Sequence, residues 1–396
     1  MAIVLCLLDA FRYNYLSQEN TPFLWECAQK GEHYERVIPS LGYCERSEIL
    51  SGLKPDESGY FTAIGYDPET SPFRKIKWLL KLKCLSGVLK KWISKANNGM
   101  RTYEIPLSLL PYWNLTEDKI DHRLKEAFPS NTILSLLENA GKNYFYASFT
   151  SFNLPNGTDN DRMRMALHAA GDLQYELYLI YISSPDIWGH EYGPDSLELK
   201  RALYKMDRDL EAFSKEFIRK RPESKFVFLG DHGMVPISLC IDVESELLPL
   251  AKRLNIKIKK DFIYFLDSTL MRVWFLSEKA RAIFEKPLKE SVLLIENGLF
   301  IDESLAKRFH IPWNDKRYGD LIWLANAGGL VFPNFFLRKN PYKGCHGYDP
   351  YVSDSQGTCI IHGSSISKRK CGSIQLTHMF QILSELLGLQ LEHENA

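Results

Sequence analysis

Three short stretches of this 396-residue chain set carboxylates and imidazoles beside glycine, where a backbone can turn sharply and present a side chain. They are "SSPDIWGHEYG" (183–193), "FLGDHGM" (228–234) and "GCHGYDP" (344–350). With the first acidic residue of the chain they supply Asp9, Asp186, His190, Asp231, His232 and His346. Mixed oxygen and nitrogen donors suit zinc, and also manganese or iron. Six donors exceed what one tetrahedral zinc needs and match two divalent metal ions, which can clamp the attacking and leaving oxygens of a phosphoryl displacement. Each residue alone has an ordinary explanation: an Asp as a helix N-cap, "DHG" as a turn, Asp186 and His190 as a chance i, i+4 pair. Position decides between the readings, because Asp9, Asp186 and Asp231 all follow strand-like apolar runs.

Those runs are "IVLCLL", "LYLIYIS" and "KFVFLG". Continuous apolar runs that end in polar residues are expected of buried parallel strands whose carboxyl ends form a site. Amphipathic stretches with helical spacing lie around them, such as "TPFLWECAQKG" (21–31) and "LKRALYKMDRDLEAFSKEFIRK" (199–220). Alternation of this kind predicts an α/β fold, a doubly wound and mostly parallel sheet with helices on both faces. Residues 1–72, 131–240 and 336–396 are expected to build that core. Residues 73–130 read as a basic amphipathic helical insert, and 241–335, with the β-rich "DFIYFLDSTLMRVWFL", as a smaller mixed cap subdomain. The last helix is expected to start after Thr377 as its N-cap.

The order and spacing of "LLDAFRYNYL", "VIPSLGYCERSEILSGLKPDESG", "SSPDIWGHEYG", "GDHGM" and "CHGYDP" resemble the alkaline phosphatase superfamily, and within it the type I phosphodiesterase/nucleotide pyrophosphatase branch. The resemblance implies an alkaline phosphatase-like fold. It also implies one metal on Asp9, Asp231 and His232 and a second on Asp186, His190 and His346.

One departure concerns the attacking group. Members of the branch carry a Thr or Ser nucleophile ten residues before a helix-closing glycine, here Gly52, so the nucleophile position is Gly42. Glycine can neither form a phosphoryl-enzyme nor ligate a metal. Ser40 and Cys44 flank it as candidate catalytic residues, a Cys thiolate being both a zinc ligand and a nucleophile. Ser47 lies a turn further on and is expected to face away. Arg46 could hold the loop or grip an anionic oxygen, whereas Glu45 would repel a phosphate dianion unless protonated or metal-bound, and a solvated pair between the two is the plainer reading. The reading favours metal-activated water over a covalent intermediate. The function expected is a two-metal hydrolase of phosphate esters, of phosphodiesterase or nucleotide pyrophosphatase type, acting on a phosphorylated small molecule. The alternatives are a metal-binding pseudoenzyme that recognises a phosphorylated glycan, nucleotide or lipid, and a phosphoryl-group transferase.

Composition bounds the rest. Lysine plus arginine equals aspartate plus glutamate at 49 each, so global charge offers no case for nucleic acid. Locally, Arg74 to Arg101 holds nine basic residues and no acidic one, interleaved with Trp and Leu. That pattern suits contact with an anionic membrane surface or a lid that attracts a phosphorylated substrate. Eight cysteines without CxxC pairs suggest a reducing, cytoplasmic setting, membrane-peripheral if the basic stretch binds lipid. "MAIVLCLLDAFR" is too short to span a bilayer and is expected to be a buried strand. The sequons at Asn114 and Asn156 would matter only in a secreted protein. His362, after a late strand, reads as a core or supporting histidine rather than a ligand. "FLDST" (265–269) with Arg272 could line a substrate pocket or be an ordinary strand and turn.

Overall fold

The computed structural model describes residues 1–76, 101–116, 122–146 and 157–390. Most of the basic stretch, residues 77–100, lies outside the described residues, as does the second sequon at Asn156. Seven strands form the central sheet: β1 (Ile3–Leu8), β2 (Glu32–Ile38), β3 (Asn143–Tyr146), β4 (Tyr175–Ile182), β5 (Lys225–Gly230), β6 (Gly357–Gly363) and β7 (Arg369–Gln375). Their spatial order is β7-β2-β6-β5-β1-β4-β3. β1 runs parallel to both β4 and β5, β3 to β4 and β7 to β2. Only β6 is reversed, pairing antiparallel with β2 and β5. The sheet is therefore mostly parallel, as the strand pattern predicts.

Alternation along β1 sets the two layers, because successive side chains of a strand point to opposite faces. Val4, Cys6 and Leu8 pack with Leu24 and Cys27 of α1 (Pro22–Lys30) and with Leu203, Leu210 and Phe217 of a long helix. Ile3, Leu5 and Leu7 pack with Ile49 and Leu50 of α2 (Glu45–Ser51) and with Met379 and Leu383 of the last helix. In chain order the remaining helices that matter here are α3 (Ser184–Tyr192), α4 (Leu197–Lys220) and α5 (His378–Leu387). Both faces of the sheet are thus covered, which is why all six residues of β1 can be apolar.

One buried carboxylate ties α4 to α1. Asp207, fully buried on α4, accepts the N–H groups of Phe23 and Leu24 at 2.8 and 2.9 Å, and burial pushes its carboxyl up to about 6. It does for the start of α1 what a local cap would do, since Thr21 makes no side-chain cap bond. Thr377 likewise precedes α5 without a capping bond, so the expected cap is absent there.

A second, antiparallel sheet runs in the order Phe262–Leu266, Leu270–Phe275, Leu321–Ala325, Gly298–Phe300. The antiparallel pair Ile64–Tyr66 and Trp113–Leu115 packs into the same core as this sheet, together with Phe73, Ile105 and Leu110. Asn114 is buried there, its Nδ2 donating to the Thr70 carbonyl at 3.0 Å, a placement that leaves no room for a glycan. Among the described residues no helix is long and apolar enough to cross a membrane.

Candidate active site

Strand register brings the three acidic motifs to one edge. Leu8 pairs with Ile182 on one side and with Gly230 on the other, so Asp9, Ser183 and Asp231 leave the sheet side by side at its carboxyl end. Asp186 and His190 then fall on consecutive turns of α3. His346 arrives from a distant part of the chain: Gly344 and Cys345 pair with Pro236 and Val235, just beyond "DHGM". All six predicted donors converge.

They form two groups. In the first, His232 Nε2 lies 3.2 Å from Asp9 Oδ1 and 3.8 Å from Asp231 Oδ1. Asp231 Oδ1 accepts the N–H groups of Ala10 and His232 at 3.2 and 3.0 Å, while its Oδ2 is buried without a hydrogen-bond partner. In the second, Asp186 Oδ1 faces Nε2 of His190 at 3.1 Å and Nε2 of His346 at 3.4 Å, also without a hydrogen bond. Carbonyls of Gly233 and Gly344 sit 2.9 and 2.8 Å from Nδ1 of His232 and His190 and accept its proton, which turns both Nε2 lone pairs inward. Each group, Asp9, Asp231 and His232 or Asp186, His190 and His346, has ligand atoms close enough to hold one cation. Buried oxygens with no donor are costly unless something positive satisfies them, and the donor set fits a divalent metal.

The electrostatics agree with that geometry. Burial pushes the Asp231 carboxyl up to about 6, opposed by His232 and reinforced by Asp9. Burial also opposes a charge on His232, yet the carboxylates of Asp231, Asp9 and Glu45 raise it well above the ordinary histidine value. Asp186 resists the same burial because His190 and His346 hold it well below the ordinary carboxylate range. Burial and the neighbouring His232 charge push His346 down to about 4.

The nucleophile seat is closed. Gly42 has φ +118, and a Cβ there would stand 2.1 Å from the Phe61 carbonyl oxygen. Ser40 and Cys44 do not line the cavity. Ser40 gives its N–H and its hydroxyl to the buried carboxylate of Glu48, the hydroxyl at 3.0 Å, and the Cys44 thiol lies 3.8 Å from the same carboxylate. Ser47 is also fully buried away from the cavity. Arg46 does line it, its Nη2 3.8 Å from Asp9 Oδ2 and its guanidinium 5.3 Å from the Tyr181 ring centre. Glu45 and Arg46 are each only 5% exposed, so the solvated pair expected from the sequence does not form.

Three residues escaped the sequence reading or were misjudged by it. Glu45, expected to repel a phosphate dianion unless protonated or metal-bound, places a carboxylate oxygen in reach of His232 and His346. Tyr181, which looked like plain core in "LYLIYIS", donates its hydroxyl to Asp9 Oδ2. Tyr342 lays its ring 4.3 Å from that of His190. His362 pairs with Phe226, near the amino end of β5 and far from the site. The "FLDST" stretch divides: Ser268 lines the cavity, whereas Arg272 is wholly buried against Asp267 and does not reach it.

The cavity itself holds about 400 Å³, and beyond the donors it is walled by Arg101, Tyr103, Ser268 and Phe336. Tyr103 and Phe336 meet edge to face at 5.1 Å.

The sequence pattern of the type I phosphodiesterase / nucleotide pyrophosphatase family matches residues 3–349. An uncharacterized pyrophosphatase/phosphodiesterase of Schizosaccharomyces pombe is 24% identical over 99% of this chain and 78% of its own length. A venom phosphodiesterase of Crotalus durissus collilineatus is 22% identical over 98% of this chain, which spans only 44% of that protein. Among solved structures, an inactive murine ectonucleotide pyrophosphatase/phosphodiesterase 5 in complex with AMP superposes with a TM-score of 0.71 at 17% identity, covering all of this chain and 97% of that one. With the family pattern spanning most of the chain and every one of the six donors, this protein belongs to the type I phosphodiesterase/nucleotide pyrophosphatase family.

Proposed function

We propose that this chain hydrolyses a phosphodiester or phosphoanhydride bond in a nucleotide-like small molecule, with one divalent cation held by Asp9, Asp231 and His232 and another by Asp186, His190 and His346. The observation that carries the reading is the convergence of six carboxylate and imidazole donors into two groups, in which two buried carboxylate oxygens, Asp186 Oδ1 and Asp231 Oδ2, have no hydrogen bond. Carboxylate and imidazole donors suit zinc, with manganese next. When bound, such a pair neutralises phosphoryl charge and makes water a stronger nucleophile.

The chain's own groups have assignable parts. Tyr181 fixes Asp9 through its hydroxyl, and the Gly233 and Gly344 carbonyls fix the ring orientations of His232 and His190. Arg46 presents a guanidinium on the cavity wall, suited to an anionic phosphoryl oxygen. Tyr103 and Phe336 offer aromatic surface for a base, and Arg101 adds positive charge for an anionic substrate. AMP in the murine relative's structure supports a nucleotide-like ligand. With the Gly42 seat closed, water attacks phosphorus directly: its oxygen bonds to phosphorus as the bond to the leaving oxygen breaks on the opposite side. The closed seat also favours the binding-only reading, so turnover must be measured. The metal-stripped protein, reloaded with zinc or manganese, should hydrolyse chromogenic phosphodiesters or dinucleoside polyphosphates above an Asp231→Ala control. Full metal loading with no turnover on any of these substrates would leave a binding protein instead.

A further inference from the structure

Two facts stand close together in the loop before α2. Position 42 can carry no side chain, because Phe61 fills the space a Cβ would need. Three residues on, Glu45 turns a buried carboxylate to the place where the two donor groups meet. One of its oxygens lies within 4.8 Å of ring nitrogens of both His232 and His346. Those two imidazoles belong to different groups, and their rings stack at 4.1 Å between centroids. Glu45 is thus the carboxylate that groups with one imidazole from each set among the described residues.

We infer that Glu45 replaces the missing side chain of position 42 as a donor shared between the two cation positions, an inference that rests on the function proposed above. Charge supports the exchange. Asp9, Asp231 and Asp186 bring three negative charges against the four positive charges of two divalent ions, and a seated nucleophile in its ionised form would bring the fourth. Gly42 brings none. The Glu45 carboxylate restores the balance from the neighbouring helix turn, and Arg46 remains to meet the substrate. Glutamine would keep the shape of residue 45 and remove that charge.

Calorimetric titration of the metal-stripped full chain with Zn²⁺ and with Mn²⁺ tests this directly. The unsubstituted protein should bind two cations. Glu45→Gln should leave the metal-free protein at least as stable, because the amide stands in for the protonated carboxyl, and should lose at least about tenfold in affinity at one or both positions, since even residues that only orient a ligand cost about that much when removed. Glu45→Asp should fall between the two. Crystals grown with zinc should show a Glu45 oxygen about 2.0–2.2 Å from an ion, a readout that stands even if the glutamine variant fails to fold. Two cations bound by Glu45→Gln with unchanged affinity, or a Glu45 carboxylate beyond coordination distance of both ions, would overturn the inference while leaving the proposed function intact. An unsubstituted protein that binds no cation would overturn both.

Discussion

Phe61 closes over Gly42: its carbonyl oxygen accepts the Tyr43 N–H at 2.9 Å and occupies the space of any Cβ at position 42. A left-handed backbone and a 2.1 Å clash act together there. Gly42→Thr should therefore not rebuild a nucleophile. It should cost on the order of 3 kcal/mol of stability, read as a lower denaturant midpoint, through strain and overpacking. A well-folded Gly42→Thr protein with raised turnover would show that the loop can open.

The Glu48 carboxylate holds both side chains that could have attacked in its place, Ser40 and Cys44. Ser40→Ala and Cys44→Ala should each leave turnover within tenfold of the unsubstituted protein. Each should lower stability by about 1 kcal/mol through the lost contact with a buried carboxylate. Acid-quenched reactions with a labelled substrate should yield no labelled protein, and a label that vanished with either substitution would identify that residue as the nucleophile.

Stability should depend on pH in opposite ways with and without metal. In the metal-free protein Asp231 and Glu45 titrate near 6 and 7, against about 4 in an unfolded chain, so the folded state binds more protons between those values. Raised His232 and His190 act in the same direction, while His346, pushed down to about 4, opposes them below about 6.5. Metal-free protein should lose stability as pH rises from about 6 to 8. A cation must displace those protons, so its affinity should fall as pH drops through the same window, with proton release visible by calorimetry in buffers of different ionisation enthalpy. Identical melting profiles for both forms across that range would contradict the assignment.

Arg272 and Asp267 show what a buried pair does when it is structural. Arg272 spends its donors on Asp267 at 2.8 Å, on Thr62 Oγ1 and on the Ile64 carbonyl, tying the second sheet to the strand Ile64–Tyr66. Asp267→Ala should cost about 3–5 kcal/mol, since it leaves a buried guanidinium unpaired. An Asp267→Leu/Arg272→Met double variant should recover much of that loss in equilibrium unfolding. A single substitution that cost under about 1 kcal/mol would mean the site is wetter than its burial implies.

The sequence by itself determined the mostly parallel sheet and the six candidate donors. Apolar runs that end at Asp9, at Asp231 and shortly before Asp186 imply parallel strands with a shared carboxyl edge, because a strand buried on both faces must be apolar until it leaves the sheet. Motif order then carried His190, His232 and His346 with them. Tertiary structure alone decided what surrounds them. Whether Ser40 and Cys44 look into the cavity or toward Glu48 depends on the path of one loop over Phe61, which no local pattern encodes. Tyr181 alternates along β4 like any core residue, and only the register with β1 brings its hydroxyl to Asp9. Glu45 reads as a repulsive charge in one dimension. In three it lies within reach of two stacked imidazoles contributed from residues more than 180 positions away, where a carboxylate can serve as a donor rather than an obstacle.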